Sequence, residues 1–208
     1  MNLYTFQRPA LAALMTAGLL ALAACSSTSN SSNTADSSAP ASSAASASAP
    51  AASDTGKAIE AIARLQPTQG SSVSGTVQFL PQADGSVRVQ GRVEGLSANT
   101  EHGFHIHEKG DCSSGDGLSA GGHFNPGSHT HGKFDGAAHH AGDLPSLRSD
   151  GAGVANIDFV SRSIALDRSA SSVQNRGLIV HKDPDDYTTQ PTGNSGARLA
   201  CAVIQRGA

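Results

Sequence analysis

The chain has 208 residues, of which 38% are hydrophobic, 4% are aromatic and none is Trp. This length suits one domain with accessory segments or two small domains, and the scarcity of aromatic residues argues against a large aromatic core. The formal net charge of −3 gives no reason to expect a nucleic-acid partner. These values fit a compact β domain joined to a polar, low-complexity region.

Residues 1–24 have the features of a signal peptide, with Arg8 before a short, Ala-rich apolar run. That run is too short for a convincing membrane-spanning helix. It ends in LAAC at residues 22–25, which resembles a bacterial lipobox, and an ordinary signal peptide with a chance cysteine is the alternative. We expect Cys25 to be lipidated. Because Ser26 rather than Asp follows it, we expect an anchor on the periplasmic side of the outer membrane.

Residues 25–57 consist mainly of Ser, Ala, Asn, Thr and Pro, with hardly a large apolar side chain. Such a segment cannot bury enough surface to offset the entropy lost on ordering. We expect a flexible tether that spans roughly 30 Å as a random coil. The folded domain is expected at residues 58–208.

The domain has the pattern of short β-strands. Residues 58–65 are ambiguous between helix and strand, whereas residues 73–79 and 87–93 alternate between apolar and polar side chains. Ala83-Asp84-Gly85 between them is a hairpin signal. Further strand candidates are a segment after Asn99 and residues 154–160, 177–181 and 198–205. Many short strands at near-regular spacing predict an all-β sandwich or barrel.

Three stretches lack a strand pattern. Residues 163–175 are difficult to interpret, and two long loops are predicted at residues 108–147 and 182–197. Loops of this length in a compact domain are usually functional or disordered. The chemistry of the first loop favours function.

Histidines concentrate in one region, since residues 102–143 hold eight of the nine in the chain. Neutral imidazole is the commonest protein ligand of transition metals, so the cluster predicts a metal site. A solvated, His-rich loop is the alternative, but the spacings are not those of a simple tract.

His105 and His107 lie two residues apart in a predicted strand, which places both side chains on one face. Phe104 and Ile106 then point the other way, toward an apolar core. His102 falls on the Ile106 face, so we expect it to form hydrogen bonds in the core or to support a ligand. An isolated H-x-H pattern is a weak signal.

A second set of candidate ligands follows in the loop. His131 and His140 lie near Asp143, with His123 between this set and the strand pair. A carboxylate among histidines is a hard oxygen ligand that zinc accepts and a purely copper site seldom uses.

Two of these assignments involve a choice between nearby histidines. His131 is preferred to His129 because Gly132 follows it, and His140 is preferred to His139 because of its spacing from Asp143. His129 and His139 are expected at the surface, with a weak metal-loading site as an alternative.

Six motifs then occur in a fixed order: GFHIHE from 103, GGHFNP from 121, HG from 131, HAGDL from 140, GLIVH from 177 and GNSGARLACAVI from 193. Together they resemble the copper/zinc superoxide dismutase family from about Lys57 to the C-terminus, and HAGDLP resembles its bacterial branch. The resemblance implies an eight-stranded Greek-key β-barrel or sandwich with two long functional loops. It also implies an enzyme that converts superoxide to O2 and hydrogen peroxide with copper and zinc.

The resemblance implies a role for each matching residue. Its copper ligands correspond to His105, His107, His123 and His181. Its zinc ligands correspond to His123, His131, His140 and Asp143, so His123 would bridge the two metals.

Other residues of the chain also match the family or its expected chemistry. Arg198 matches the arginine that receives the substrate, and Cys112 and Cys201 match the disulfide. We expect Asp185 to accept hydrogen bonds from the ligands His105 and His131, which need such partners to fix their rings.

Some assignments stay open at this stage. Asp185 has a solvated loop carboxylate as its alternative, and Asp186 is the neighbour with which it is most easily confused. Lys133 and Lys182 could add positive potential near the site, but plain surface charge is the preferred interpretation. A metal-binding envelope protein without turnover is the alternative function, and homodimer or monomer is undecided.

Overall fold

The computed structural model describes residues 61–207, which form strands, turns and one short 3-10 helix. The expected signal peptide, Cys25 and the tether lie outside the described residues. The strands are β1 (Ala61–Pro67), β2 (Ser74–Pro81), β3 (Val87–Glu94), β4 (Glu101–His102), β5 (Phe104–His107), β6 (Leu147–Arg148), β7 (Ala155–Ser161), β8 (Gly177–His181), β9 (Arg198–Val203) and β10 (Gln205–Arg206). The ambiguous first segment is therefore a strand wherever it is described.

The first three strands form an antiparallel meander, and β7 pairs with the outer edge of β3. Alternate residues are buried, as shown by Val77 and Phe79 in β2 and by Val89 and Val93 in β3. The predicted hairpin turn is present, since the Gly85 amide donates to the Gln82 carbonyl at 3.0 Å. The period-2 pattern thus predicted these strands correctly.

The main sheet has the order β5-β8-β9-β1-β2-β3-β7, and β4 and β6 form a separate pair. Neighbours such as β5 and β8 are far apart in sequence, as the crossing connections of a Greek key require. The sheet curls around one continuous core of Val, Leu, Ile, Ala and Phe side chains. The predicted all-β fold is confirmed.

Two strands differ from the sequence expectations. The last strand is not continuous over 198–205, because it breaks at Ile204, where β9 leaves its pairing with β8 and β10 begins to pair with the start of β1. Ile204 is fully buried and its amide donates to the Arg176 carbonyl. The strand that carries His105 is interrupted at Gly103, whose amide donates to Asp183 instead.

The first long loop also has more regular structure than expected. It contains the 3-10 helix at Leu118–Ala120, and β6 lies at its end. A disulfide between Cys112 and Cys201, with a Cα–Cα distance of 5.9 Å, ties the loop to β9. The pairing implied by the resemblance is confirmed. Within the described range, no helix is long and apolar enough to cross a membrane.

Candidate metal centre

Four buried histidines converge at one end of the sheet. His105 and His107 lie on β5, and His181 ends β8, which pairs with β5. His123 comes from the first loop and forms an isolated β-bridge with His107. One ring nitrogen of each residue lies within 4.8 Å of those of the others. The strand pairing and the loop together therefore form a four-nitrogen group.

The outer hydrogen bonds of these rings determine which nitrogens face one another. His105 Nε2 lies 2.7 Å from Asp185 Oδ2, while His105 Nδ1 is buried without a hydrogen-bond partner. His107 Nδ1 donates to the Gly121 carbonyl at 2.9 Å, and His107 Nε2 lies 3.3 Å from His181 Nε2. His105 Nδ1, His107 Nε2 and His181 Nε2 are therefore the nitrogens that face the middle of the group.

A second group forms around the carboxylate of Asp143. Asp143 Oδ1 lies 2.8 Å from His123 Nδ1, 3.0 Å from His131 Nδ1 and 3.4 Å from His140 Nδ1. Asp143 Oδ2 accepts the backbone amides of Gly132 at 3.1 Å and His140 at 2.8 Å. One oxygen of the carboxylate is thus used to hold the loop, and the other faces three imidazoles.

His123 belongs to both groups. Its Nδ1 faces Asp143, while its Nε2 is buried without a hydrogen-bond partner. Its ring centroid lies 4.0 Å from that of His105. The two groups therefore share a single imidazole.

Asp185 connects the two groups from the outer side. Its Oδ2 lies 2.7 Å from His105 Nε2, and its Oδ1 lies 2.9 Å from His131 Nε2. Both expected contacts are present, and the Asp185 side chain is almost fully buried. Asp186, by contrast, is exposed and bonds Thr188 and Thr189 in its own loop.

Burial shapes the protonation of the four-nitrogen group. It lowers the pKa of His107 and His181 well below the usual value for histidine, and the neighbouring imidazoles lower it further. Burial also lowers the pKa of His105 to about 4, despite the hydrogen bond to Asp185. These three imidazoles are therefore neutral at physiological pH, which is the form that binds a metal.

The second group has the opposite character. Burial disfavours a charged His131, but the hydrogen bonds to Asp143 and Asp185 outweigh it and raise the pKa of His131 to about 9. Burial would raise the pKa of Asp143, yet hydrogen bonds from His123, His131 and two amides hold it below its usual range. The direction of this shift favours a protonated His131 in the metal-free group, so a cation that binds there would compete with a proton.

Both groups fit metal ions. Buried polar atoms without a partner are rare and call for an explanation such as an ion. Three of them occur here, at His105 Nδ1, His123 Nε2 and His140 Nδ1. Four imidazole nitrogens suit copper, and three imidazoles with one carboxylate oxygen suit tetrahedral zinc.

The remaining histidines lie outside these groups. His102 is buried, with Nδ1 donating to the His181 carbonyl at 2.9 Å and Nε2 2.8 Å from Thr100 Oγ1. It therefore supports the backbone of the candidate ligand His181, and support of a ligand is one of the two roles expected for it. His129 is exposed, and His139 is half-buried with its Nε2 2.9 Å from Ser163 Oγ.

Arg198 lies beside the four-nitrogen group. It is paired directly with His181 across β8 and β9. Its guanidinium donates to the carbonyls of Gly117 at 2.5 Å and Gly121 at 2.6 Å, and the Gly121 carbonyl also accepts from His107. Two carbonyls do not exhaust the five N–H donors of a guanidinium, so the side chain can also hold an anion.

The two lysines considered for positive potential are both exposed. Lys133 forms an ion pair with Asp135 at 3.2 Å, and Lys182 follows His181 at the start of the second loop. Neither has a contact that ties its charge to the metal groups.

Gln190 is a site residue that carries no signal in the sequence. Its Oε1 accepts the His131 amide at 2.9 Å, and its Nε2 donates to the His131 carbonyl at 2.9 Å. The second loop thus holds both the ring and the backbone of His131. One amide in a Thr- and Pro-rich loop gives no indication of such a contact until the two loops are folded together.

The fold and site define a β-barrel protein with two linked groups that could hold metal ions, and comparisons with known proteins identify relatives of this chain. A family model for copper/zinc superoxide dismutase matches residues 73–204. Superoxide dismutase [Cu-Zn] A of Xenopus laevis is 44% identical over 138 residues, which cover 64% of this chain and 89% of the relative. A crystal structure of the clock protein EA4 matches with a TM-score of 0.65 and 38% identity, covering 72% of this chain and 96% of that one.

The chain belongs to the copper/zinc superoxide dismutase family. Copper and zinc are accordingly its cofactors, and the two groups described above are suited to hold them.

Proposed function

We propose that the protein dismutates superoxide, converting two superoxide anions and two protons to O2 and hydrogen peroxide. His105, His107, His123 and His181 would hold copper, and His123, His131, His140 and Asp143 would hold zinc. The observation that supports this best is the single imidazole shared by two buried groups, with a half-buried arginine beside the first. Copper supplies a one-electron redox couple, whereas zinc has none and holds the structure.

The residues of the chain have separate tasks in this reaction. His123 couples the two groups, and its Nε2 is the buried atom at which a proton can be held and delivered on the copper side. Asp185 fixes the rings of His105 and His131 through the contacts described above, and Asp143 would provide the oxygen ligand of zinc. Arg198 attracts the anion and orients it, because a guanidinium presents fixed donors together with a permanent charge.

A metal-binding protein without turnover is the second candidate. Such a protein needs neither a shared imidazole nor an anion site, so the positions of His123 and Arg198 favour the enzyme. Superoxide consumption by the purified protein, measured before and after addition of copper and zinc, separates the two functions. Fast consumption that requires copper supports the enzyme, whereas two bound metals without consumption would support the alternative.

We expect Arg198→Ala to bind both metals normally and to consume superoxide slowly at low substrate concentration. Focused positive potential raises the association rates of anions by about 10–10³-fold, so we expect kcat/KM to fall about tenfold or more. Stopped-flow consumption at several ionic strengths tests this, because the salt dependence should weaken as well. Arg64→Ala, which removes an exposed arginine on β1, is the control. Wild-type kcat/KM in Arg198→Ala would rule out the anion role.

We also propose that the protein is a bacterial lipoprotein of the periplasm, anchored through Cys25 to the outer membrane. The support is the sequence LAAC at residues 22–25 after a signal-like segment. Membrane fractionation of wild-type protein and Cys25→Ala tests the proposal. Wild-type protein should sediment with outer membranes and Cys25→Ala should not, whereas equal distribution would show that no lipid is attached.

A further inference from the structure

Tyr187 is a residue of the second loop that the proposed reaction does not use. It follows Asp185 by two positions, and its backbone amide donates to Asp185 Oδ1 at 2.7 Å. The same oxygen accepts from His131 Nε2. Tyr187 is therefore linked through Asp185 to His131, a member of the group around Asp143.

The backbone of Tyr187 is left-handed, with φ 59°. This conformation is uncommon for a residue with a Cβ, and it persists only where surrounding contacts hold it in place. The structure shows what provides those contacts, because the Tyr187 side chain is half-buried between two other parts of the chain.

The Tyr187 hydroxyl lies 2.8 Å from Ser146 Oγ and donates to Glu101 Oε1 at 3.1 Å. Ser146 comes three residues after Asp143, and Glu101 opens β4, directly before the strand that carries His105. The other oxygen of Glu101 is held by Arg148 at 2.7 Å. The hydroxyl thus joins the second loop to the segment of Asp143, a candidate zinc ligand, and to the segment of His105, a candidate copper ligand.

We infer that Tyr187 is a positioning residue for the metal centre, because its hydroxyl and its amide together fix the carboxylate of Asp185 between His105 and His131. Asp185 lies in an irregular loop rather than in a strand, so the position of its carboxylate depends on contacts such as the amide of Tyr187. The hydrogen bonds of the hydroxyl hold Tyr187 in place, and the backbone amide of Tyr187 in turn holds the Asp185 carboxylate. The inference rests on the proposed metal ligands and extends them.

Tyr187→Phe removes the hydroxyl and keeps the ring and the backbone amide. Loss of a direct partner of a ligand costs roughly 10–100-fold in metal affinity, and we expect a smaller loss here, about three- to tenfold for zinc. The copper electron paramagnetic resonance spectrum of the fully loaded protein should also shift, because the His105 ring is no longer held as firmly. Zinc affinity is measured by competition with a chromophoric chelator.

Thr189→Ala is the matched control, because Thr189 lies in the same loop and its hydroxyl bonds Asp186 rather than Asp185. It should keep both zinc affinity and copper spectrum. Because the two hydroxyls are hydrogen-bonded, a Ser146→Ala/Tyr187→Phe double variant should lose less zinc affinity than the sum of the losses in the two single variants, and fully additive losses would contradict this coupling.

Wild-type zinc affinity and an unshifted copper spectrum in Tyr187→Phe would overturn the inference, even if its melting temperature fell. That result would leave the proposed function intact. Wild-type protein that binds both metals but consumes no superoxide would instead refute the function, and the zinc comparison would still test Tyr187.

Discussion

Replacement of His123 by Ala is expected to remove the link between the two metals, with the loss of most zinc binding and of most superoxide consumption. His123 offers Nδ1 to the group around Asp143 and a buried, unpartnered Nε2 to the group on β5 and β8. No other residue belongs to both groups among those the structure describes. The loss of zinc affinity should exceed the roughly 10–100-fold typical of an outer partner, since a ligand itself is lost.

The measurement that isolates the shared imidazole is the copper spectrum with and without zinc. In the wild type, zinc removal should change the spectrum, because in the proposed arrangement one imidazole would be a ligand of both metals. In His123→Ala the spectrum should no longer respond to zinc. His129→Ala is the control, because His129 lies exposed in the same loop and belongs to neither group. A wild-type copper spectrum that ignores zinc would contradict a shared ligand.

Some candidate ligand positions were accessible from the sequence through a local rule, and the others through the family resemblance. Alternation along a strand places His105 and His107 on one face, and this needs no knowledge of the rest of the fold. The same rule predicted β2 and β3. The choice of His131 and His140 over their neighbours relied on spacing and on the family motif, and the structure places these two in the Asp143 group.

The supporting contacts were less accessible because they join segments far apart in the chain. Gln190 reaches His131 across 59 positions, and Tyr187 reaches Glu101 across 86. No periodicity connects such residues, and their types are ordinary in loops. The break at Ile204 escaped prediction for a similar reason, since it depends on which strands flank β9 rather than on its own sequence.

Gly193 is a loop residue whose replacement by a larger residue is expected to lower zinc affinity. It is buried in the second loop with φ +67°. A Cβ added there would overlap Asp185 Oδ1 and lie 2.5 Å from His131 Nε2. Gly193→Ala should therefore push Asp185 away from His131, and we expect zinc affinity to fall roughly 10–100-fold, as for other losses of an outer partner.

Gly70→Ala separates the steric effect from the backbone effect. Gly70 has a similar φ of +78°, but a Cβ there would meet nothing within 4 Å. The left-handed backbone alone costs roughly 1–2 kcal/mol for a residue with a Cβ. Gly70→Ala should show that loss in the free energy of unfolding, measured by urea denaturation without metals, and Gly193→Ala should lose more because its Cβ also meets Asp185 and His131. Only Gly193→Ala should also lose zinc affinity, and equal zinc affinity in the two variants would mean that Asp185 does not depend on the space that Gly193 leaves.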